Sequence, residues 1–541
     1  MTDITFIQQT KDLIDNLKSV CANYGLGNDG NEFKIITQVF LYKYINDKFR
    51  FEARKVEKNL RNTENFQTNL AQLSDDEYEF MIGRIGNRSP ILKPTQTIDY
   101  LFNRLNEDNF AEVYFDPTLK AISSENAALY SIKSTSGVKD EMFDRLSQFI
   151  SDPSQRDAFC RALIAKLVNF SFEHMFGEKY DFFATIFEYL IKDYNTDSGG
   201  KYAEYYTPHA VARIMAAILV NSTVDLFGIK CYDPSAGSGT LLMNLAHAIG
   251  EENCTIYSED ISQKSSNMLR LNLILNNLSQ SIPNVIKGNT ILNSYYHNEK
   301  FHYTVSNPPF KLDFSDYHNE LDKTSNKERF FAGIPKIPNK DKDKMAIYLL
   351  FIQHIIFCMD EKKGKAAIVV PTGFITAQSG IEKKIREAMI ECKILRGVVS
   401  MPSNIFASTG TNVSVLFLDA QADMEKIVLV DASKLGETVK DGKTQRTVLT
   451  PHEEQRIISA MNDKRAEDNF SVVVTSEEIK AKNHSFSAGQ YFEVKIEYVD
   501  ITAEDFEEKM KGYKDTLNSL FEESHKLEEE IKKQLGGLKY E

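Results

Sequence analysis

The chain has 541 residues, of which 42% are hydrophobic and 26% are charged, and its formal net charge at pH 7 is −13. A chain of this length is expected to form two or three domains with large buried cores. The acidic balance argues against a protein that binds nucleic acid unaided, because neutralising phosphates needs a basic surface. Any such contact is expected to be local or shared with a partner.

Cysteine usage and hydropathy indicate the class of protein. Six cysteines lie without a CxxC pair or a paired spacing, at Cys21, Cys160, Cys231, Cys254, Cys358 and Cys392. This usage predicts reduced, mostly buried thiols in a cytoplasmic protein, with no zinc site and no disulfide framework. The first twenty residues are amphipathic and contain acids, unlike a signal peptide. The best apolar stretch, residues 345–359, is too short to span a membrane.

Residues 1–165 are predicted to form a helical domain. Apolar residues there recur every three or four positions, as in FKIITQVFLYKYINDKF at residues 33–49. A local basic run at residues 48–61 contains Lys48, Arg50, Arg54, Lys55, Lys58 and Arg61. Two interpretations of this run stay open, a local nucleic-acid contact and an ordinary solvated helix face.

Residues 166–480 show short β-branched runs that alternate with helical stretches. The runs are IKCYDPSAG, CTIYSED, SIPNVIKGN, FHYTVSNPP, GKAAIVVPTG, LRGVVSMPS and NVSVLFLDA. This alternation predicts a Rossmann-like α/β domain with a mostly parallel sheet, helices on both faces, and a sheet that ends near residue 420. The loops that follow the strands are then expected at the carboxyl edge, where open α/β sheets bind ligands.

Two of these loops suit an adenosine-containing ligand. In CYDPSAGSGTLLMNLA, residues 231–246, a strand ends in Asp233 and a helix begins after the Gly-Ser-Gly of 237–239, where helix amides can meet a ligand. The turn lacks the lysine of a P-loop and the GxGxxG spacing, which disfavours a triphosphate and a dinucleotide. The next strand ends in Glu259 and Asp260, and either acid can accept both hydroxyls of a ribose.

A third loop, YTVSNPPFKL at residues 303–312, ends a strand in two prolines. Proline cannot donate to a sheet ladder and fixes its own backbone angle, so this loop is rigid. Taken singly, the glycine turn and the acid are as compatible with a structural role as with ligand binding. In this order and spacing, the three loops resemble the amino-methyltransferases that use S-adenosylmethionine, and within them the modification subunit of type I restriction-modification systems.

The resemblance covers nearly the whole chain. Its further motifs follow in family order: VFLYKYINDKFR, GGKYAEYYTP, GNT, FIQHIIFCMDEKKGKAAIVVPTGFI, GVVSMPSNIFASTGTNVSVLFL and NFSVVVTSEEIKAKNHSFSAGQYF. It implies S-adenosylmethionine as cofactor, no metal, and Asp260 as the ribose acid, so removal of Glu259 is expected to have little effect on cofactor binding. Asn289 stands where the family usually has aspartate and keeps an acceptor for the adenine amine without the charge. The implied cofactor-binding residues are Tyr206, Thr207, Pro208, Asp233, Ser235, Gly237, Ser238, Gly239, Asp260 and Asn289.

The Asn-Pro-Pro-Phe loop is the predicted catalytic element. The exocyclic amine of adenine or cytosine is a poor nucleophile because its lone pair is delocalised into the ring. The side-chain carbonyl of Asn307 and the backbone carbonyl of Pro308 can accept its two N–H bonds and leave the lone pair facing a sulfonium methyl. Phe310 offers a face for an extruded base, and Phe406 is either a second such face or a core residue. The resemblance, not the residue chemistry, implies adenine N6 as the target.

Residues 481–541 are predicted to form a C-terminal tail with one long helix. Its apolar seam steps by four and three residues through Phe506, Met510, Tyr513, Leu517, Leu520, Ser524, Leu527, Ile531, Gln534 and Leu538. Such a seam must pack on the chain itself or on a partner. The resemblance implies the specificity subunit as that partner, with two modification subunits for each specificity subunit on double-stranded DNA. Whether a restriction subunit, the nuclease and translocase of such systems, also joins is left open.

Three other functions stay open at this stage. Enzymes with a similar loop methylate a protein glutamine or an RNA amine, although they lack the helical domain and the long tail. A catalytically idle binding subunit is disfavoured by the intact Asn307, Asp260 and Gly237. A fused single-chain restriction enzyme needs a nuclease domain and a target-recognition domain, and the roughly 120 residues after the predicted end of the sheet are too few for both.

Overall fold

The computed structural model describes residues 3–27, 30–61, 63–173, 176, 186, 189, 207–221, 226–406, 412–441, 444–493 and 502–536. The chain divides into two compact units, Met1–Tyr491 and Phe492–Glu541. Among the described residues, every helix is too short or too polar to cross a bilayer. The same residues contain no group of three or more His, Cys, Asp or Glu side chains placed to hold a metal ion.

Several α-helices of the described residues begin at a recognisable N-cap residue. Ser74, Thr450 and Thr475 each start a helix with a capping box, in which the hydroxyl accepts from the amide three residues on and a glutamate reaches back. The helices are α1 Asp3–Asn23, α2 Gly30–Val56, α3 Phe66–Ala71, α4 Asp75–Ile85, α5 Ile98–Phe102, α6 Asp116–Glu125, α7 Ala127–Tyr130, α8 Arg156–Leu167, α9 His209–Leu219, α10 Thr240–Ile249, α11 Gln263–Leu275, α12 Thr290–Asn293, α13 His318–Leu321, α14 Tyr348–Cys358, α15 Gly373–Thr376, α16 Gly380–Glu391, α17 Pro451–Asn462, α18 Ser476–Ala481 and α19 Ala503–Gly536.

The strands form one large sheet and one separate hairpin. They are β1 Ile132–Ser134, β2 Lys139–Asp140, β3 Ile229–Asp233, β4 Cys254–Asp260, β5 Val285–Lys287, β6 Tyr303–Ser306, β7 Lys365–Pro371, β8 Leu395–Ser400, β9 Val413–Asp419, β10 Ile427–Asp431, β11 Glu437–Asp441, β12 Thr444–Val448 and β13 Ser471–Val474. The antiparallel pair β11 and β12 is the hairpin, and the other strands make an eleven-stranded sheet.

The sheet confirms the predicted α/β fold class. Its strand order is β13-β10-β8-β9-β7-β6-β3-β4-β5-β1-β2. The strands from β3 to β8 and β10 run parallel, and β9 is antiparallel to both β7 and β8. The chain passes outward from β3 through β4 to β5 and then returns to β6 on the other side of β3. The loops after β3 and β6 therefore diverge, which leaves a crevice at the carboxyl edge.

The sheet extends further than the sequence predicted. The expected end near residue 420 is wrong, because β10 pairs parallel to β8 and β13 pairs antiparallel to β10. At the other edge β1, from the region predicted to be helical, pairs parallel to β5. β13 has only four residues and β1 only three. β1 lies in a region of helical periodicity, and β10 and β13 follow the predicted alternation of strands and helices, so pairing with neighbouring strands identifies them.

The N-terminal helices and the sheet share one hydrophobic core. Tyr44 on α2 is buried, and its hydroxyl lies 3.3 Å from the backbone carbonyl oxygen of Leu275 at the end of α11. Buried Arg270 on the same helix donates to the backbone carbonyls of Glu141 and Met142 at 2.9 and 3.3 Å. The helical region is thus fused to the sheet through α11, and the boundary placed at residues 165 and 166 stays a prediction.

The basic run at residues 48–61 is neither a free cationic surface nor a simply solvated helix face. Four of its six basic side chains are held in ion pairs with two acids: Arg50 and Arg54 with Glu173 at 3.1 and 3.3 Å, and Lys48 and Lys55 with Glu52 at 3.5 and 3.2 Å. Glu52 is itself buried. Four of the six basic side chains of this run are therefore already engaged in ion pairs within the fold.

The predictions for the cysteines and for the C-terminal helix are confirmed. All six cysteines are free thiols, and only Cys392 among them is exposed. The C-terminal helix α19 covers 34 residues. The seven large apolar side chains of its seam are each at least half exposed: Phe506, Met510, Tyr513, Leu517, Leu520, Leu527 and Ile531. Leu538, the last predicted seam residue, lies outside the described residues.

Candidate active site

A cavity of about 170 Å³ lies at the carboxyl edge of the sheet, where β3, β4, β5 and β6 end. Seven of the predicted site residues line it: Thr207, Asp233, Ser235, Ser238, Asp260, Asn289 and Asn307. These residues come from five separate parts of the chain. The fold therefore gathers most of the residues that the sequence singled out into a single pocket.

Glycines shape the turn between β3 and α10. Gly237 and Gly239 both have positive φ, +53° and +82°, in the left-handed region that favours glycine. Gly239 also has no room for a side chain, because a Cβ there would lie 2.2 Å from Cδ1 of Leu269. The turn is thus fixed by backbone geometry and by contact with α11, and α10 begins directly after it at Thr240.

Asp233 links this turn to the Asn-Pro-Pro-Phe loop. Its buried carboxylate accepts the Ser235 amide at 2.9 Å. The Ser235 hydroxyl in turn lies 2.7 Å from the hydroxyl of Ser306, the last residue of β6. Burial raises the pKa of Asp233 to about 7, and nearby Asp260 adds to the rise. The two loops of the crevice are therefore joined by hydrogen bonds at their bases.

Asp260 and Glu259 have different environments, although they are adjacent in sequence. Asp260 lines the cavity, and its two carboxylate oxygens accept the amides of Gly237 and Ser262 at 2.9 and 2.8 Å. Burial raises the pKa of Asp260, while these two amides act in the opposite direction. Glu259 is fully buried and is not among the residues that line the cavity. Of the two acids, only Asp260 is placed to meet a ligand there.

Glu259 belongs to a buried polar network. Its carboxylate accepts three hydrogen bonds, from the Tyr232 hydroxyl, the Ser294 hydroxyl and the Tyr295 amide. The expectation that its removal has little effect on cofactor binding stays a prediction, but truncation to alanine would leave buried donors without an acceptor. Each such donor costs about 1–3 kcal/mol of folding free energy. The effect of Glu259→Ala is expected on stability.

The hydrogen bonds of this network continue from Tyr232 to His354 and then to Arg329. The Arg329 Nε–H donates to His354 Nδ1 at 3.0 Å, so the remaining hydrogen of the neutral ring is on Nε2, which lies 3.0 Å from the Tyr232 hydroxyl. That hydroxyl then donates to Glu259. Burial and the Arg329 charge hold the pKa of His354 well below its usual value, so the ring is neutral. Arg329 also donates to the backbone carbonyls of Thr290 and Ile291, so the network reaches the wall of the cavity.

The electrostatics of the cavity favour a cationic ligand. Asp233 and Asp260 are both placed at its wall, and burial raises the pKa of each. A positively charged group bound beside them would offset their mutual repulsion and favour their ionised forms. A triphosphate would instead add negative charge to a wall that already contains two acids. The structure thus agrees with the sequence argument against a nucleoside triphosphate.

Asn289 lines the same cavity at the start of α12. Its side-chain carbonyl accepts the Leu292 amide at 3.1 Å, which caps the helix. The preceding Gly288 donates its amide to the Asp260 backbone carbonyl at 2.8 Å. The Asn289 oxygen keeps one further lone pair for a ligand. Capping holds the side chain in place beside the acid of β4.

Asn307 and Pro308 present two carbonyl acceptors after β6. The Asn307 Nδ2 donates to the Thr207 hydroxyl at 3.3 Å, and no group of the described residues donates to its Oδ1. The backbone carbonyl of Pro308 likewise receives no hydrogen bond from the described residues. Thr207 is buried and lines the cavity. The contact between Thr207 and Asn307 fixes the amide so that its carbonyl oxygen remains free to accept.

The two aromatic candidates for base stacking differ in exposure. Phe310 is half-buried, and its ring meets Tyr348 edge-on with the ring centroids 6.2 Å apart. Tyr348 in turn meets Phe374 edge-on, also at 6.2 Å. Phe406 is buried in the hydrophobic core, so the interpretation of Phe406 as a second stacking face is wrong.

Some predicted site residues lie beside the cavity, and other residues of its wall were not predicted. Pro208, Gly237, Gly239, Pro308 and Phe310 belong to the same loops without lining it, and Tyr206 lies outside the described residues. Ile261 follows Asp260 directly and remains 63% exposed, a position where an apolar side chain could have been recognised as a ligand contact. The other lining residues absent from the prediction are Pro234, Ala236, Thr240, Leu241, Gly288, Thr290, Ile291, Pro309, Leu312, Tyr317, Ile347 and Phe351.

Two relatives found by comparison with known proteins are both methylase subunits of type I restriction enzymes. The type I restriction enzyme MpnII methylase subunit of Mycoplasma pneumoniae is 29% identical over 340 residues, which cover 59% of each chain. The type I restriction enzyme MjaIX methylase subunit of Methanocaldococcus jannaschii is 26% identical over 396 residues, covering 69% of this chain and 66% of that one. The matches thus span less than two thirds of the length of either relative.

A solved structure and a family model complete the comparison. The methyltransferase subunit of a type I restriction-modification system from Streptococcus thermophilus superposes with a TM-score of 0.71 at 22% identity, covering 90% of this chain and all of that one, which shows a shared fold. The model of the N-6 DNA Methylase family matches residues 178–499, more than half of the chain. The match includes the glycine turn, Asp260 and the Asn-Pro-Pro-Phe loop. The chain therefore belongs to the N-6 DNA methylase family.

Proposed function

We propose that this chain is the modification subunit of a type I restriction-modification complex and transfers a methyl group from S-adenosylmethionine to N6 of an extruded adenine in DNA. The observation that carries the proposal is the pair of carbonyl acceptors at Asn307 and Pro308, which receive no hydrogen bond from the part of the chain that the structure describes, beside a cavity that favours a cationic ligand. Membership of the N-6 DNA methylase family and the type I methylase subunits among the relatives support it.

The residues of the cavity fit S-adenosylmethionine. When bound, this cofactor supplies an electrophilic methyl group on a positively charged sulfur. Asp260 would accept the ribose hydroxyls, and Ile261 and Asn289 would hold the adenine. Asp233 and Thr207 would lie toward the cationic end. This assignment gives a role to Asp233 and Asp260, the two acids of the cavity wall, and to Ile261, the exposed apolar residue that follows Asp260.

The Asn-Pro-Pro-Phe loop performs the chemistry on the target base. Asn307 Oδ1 and the Pro308 carbonyl each accept one N–H of the adenine amine, which draws the nitrogen toward a tetrahedral form. The lone pair would then face the methyl group; as the N–C bond forms, the C–S bond would break to leave a neutral thioether, and the nitrogen would lose a proton to solvent afterwards, so no general base is required before attack. Phe310 stacks on the extruded ring, a contact worth about 1–3 kcal/mol. The prolines keep the two acceptors aimed, so that the reacting groups are oriented in advance.

The proposed partners follow from the family and from the charge of the chain. Double-stranded DNA is the substrate, and a specificity subunit supplies the sequence recognition, with two copies of this chain for each copy of it. The net charge of −13 gives a reason for sharing the DNA contact with another subunit. A restriction subunit that joins the same complex would add cleavage and translocation.

Mapping modified bases in a host tests the proposed function. The chain is co-expressed with the products of its neighbouring genes in a bacterium free of adenine methylation, and the host DNA is sequenced for modified bases. We expect N6-methyladenine at one bipartite sequence. Host DNA without methyladenine, or with methylcytosine in its place, would contradict the proposal.

Removing the Asp260 carboxylate should weaken cofactor binding. Asp260→Ala deletes the acceptor for two ribose hydroxyls, and charge-assisted hydrogen bonds of this kind contribute about 1.5–3 kcal/mol. Isothermal titration of the full-length protein with S-adenosylmethionine measures the loss. Glu252→Ala, at an exposed acid just before the other end of β4, is the matched control and should bind as wild type does. Unchanged affinity of a folded Asp260→Ala protein would refute the assignment.

A further inference from the structure

Residues 336–344, with the sequence KIPNKDKDK, form an exposed basic segment that we name the lysine arm. We infer that the lysine arm binds the phosphate backbone of the DNA strand beside the extruded base. All of its residues except Pro338 are exposed, including Ile337 at 40%. The inference rests on the proposed function and adds a surface that holds the substrate DNA.

Both ends of the lysine arm are fixed close to the cavity. The His318 Nε2–H donates to the Pro335 backbone carbonyl at 3.1 Å, just before the arm. The Leu312 amide donates to the Met345 carbonyl at 3.0 Å, just after it. Leu312 lines the cavity and is two residues beyond Phe310 of the catalytic loop. The arm is therefore anchored at the rim of the pocket that would receive the base.

A further contact holds the chain that leads into the arm. Gln353 on α14 is fully buried, and its side chain accepts the Ala332 amide at 2.7 Å and donates to the Gly333 carbonyl at 3.1 Å. Such a bidentate contact fixes the backbone of this segment against the helix. The arm thus joins two firmly held points, although its own side chains lie in solvent. A surface of this kind presents its charges at a defined place.

The charge of the lysine arm suits a phosphate backbone. It contains Lys336, Lys340, Lys342 and Lys344 against two aspartates. Only Lys344 forms an ion pair with a described residue, Asp341 at 3.4 Å. This contrasts with residues 48–61, where most basic side chains are held by buried or half-buried acids. Of these two basic stretches, the arm keeps more of its charge available to a ligand.

Geometry favours DNA over a protein as the occupant. Extruding a base from a duplex leaves the flanking phosphates at the mouth of the pocket that receives it. Long, flexible lysine side chains bind such phosphates as point charges. An acidic chain must provide a local cationic surface at this place, because phosphate neutralisation dominates DNA affinity. The arm is the exposed basic segment anchored at that mouth.

Salt dependence of DNA binding tests the inference. The full chain is assembled with its specificity subunit, and affinity for specific duplex DNA is measured by anisotropy between about 50 and 200 mM salt, the range over which such affinity falls steeply. The test variant carries Lys336→Gln, Lys340→Gln, Lys342→Gln and Lys344→Gln. The plot of log affinity against log salt should become shallower by about 0.9 for each phosphate that the variant no longer neutralises. Affinity for S-adenosylmethionine should stay at the wild-type value.

Lysines at the opposite edge of the sheet provide the matched control. They lie before β7 and β8, are exposed, and are changed together as Lys362→Gln, Lys363→Gln and Lys393→Gln. This control should keep the wild-type salt slope. If the arm variant kept the wild-type salt slope in a complex that still methylates adenine, the inference about the lysine arm would be refuted, and the proposed function would not be. If the arm variant no longer co-eluted with the specificity subunit, the arm would be a contact to that protein, and the inferred DNA contact would be refuted. A wild-type complex that methylates no adenine would instead refute the proposed function.

Discussion

An Asn307→Ala complex is expected to lose methyl transfer while its affinity for S-adenosylmethionine stays within a few-fold of wild type. The substitution deletes one of the two acceptors for the target amine and also the amide that contacts Thr207 at 3.3 Å. Removing one preorganised hydrogen-bonding group from a reacting centre commonly costs about 10²–10³-fold in rate. Because the adenine would also lose an anchor, we expect the loss to reach at least the upper end of that range.

Two comparisons separate a catalytic effect from a structural one. Asn298→Ala, at an exposed asparagine in the turn before β6, should methylate at the wild-type rate. Asn307→Asp keeps an acceptor but places a charge beside the acidic wall, so we expect slow transfer that exceeds that of the alanine variant. Single-turnover transfer of a labelled methyl group to duplex DNA measures the rates. Near wild-type transfer by Asn307→Ala would show that the loop is not the catalytic element.

The sequence predicted the site well where its residues lie at the ends of strands. Asp233, Asp260 and Asn307 each follow a short buried run, and the carboxyl ends of parallel strands meet at one edge. Alternation along a strand also explains why neighbouring acids differ. Glu259 is fully buried within β4, whereas Asp260 ends that strand and lies at the cavity. Local rules of this kind need no knowledge of distant contacts.

Contacts between distant segments could not be predicted in the same way. Thr207 meets Asn307 across 100 residues, and nothing near either residue specifies the other. The role of Glu259 in the buried network depends on His354 and Arg329, which belong to segments far along the chain. The ion pairs of Arg50 and Arg54 likewise depend on Glu173. Charge composition alone could not decide between the two interpretations of residues 48–61, because the partners of those side chains are visible only in the tertiary structure.

The strands of the sheet also divide into those that local sequence patterns predicted and those that depend on contacts between distant segments. The run of strands from β3 to β9 was predictable from buried β-branched residues separated by helices. The strands β1, β2, β10 and β13 were missed, because the first two lie in a region of helical periodicity and the last two lie beyond the run of alternating strands and helices. Pairing with neighbouring strands selects them, and such pairing depends on how the chain folds over long distances. The segment between Phe310 and α14 was also beyond prediction, since its own small core forms only in three dimensions.

The C-terminal helix is expected to be required for assembly with the specificity subunit. Seven large apolar residues form one seam on α19, and each is at least half exposed. An apolar stripe of this length with charged residues on the other positions is typical of a helix that packs on partner helices. A chain that ends at Asp500 keeps every residue matched by the family model. We expect it to fold and bind cofactor but to fail in assembly and in methylation of specific DNA.

Point substitutions in the full-length chain make this test independent of truncation. Leu520→Glu with Leu527→Glu places two charges in the seam, seven residues apart, and should prevent co-elution with the specificity subunit in size-exclusion chromatography. Glu522→Ala with Glu529→Ala changes two residues about 200° around the same helix and should leave the complex intact. If the truncated chain and the seam variant both co-eluted normally with the specificity subunit, the seam would not be the assembly surface. Loss of co-elution by the truncated chain and the seam variant, but not by the Glu522→Ala with Glu529→Ala control, would locate assembly on this face of the helix, provided that cofactor affinity is preserved.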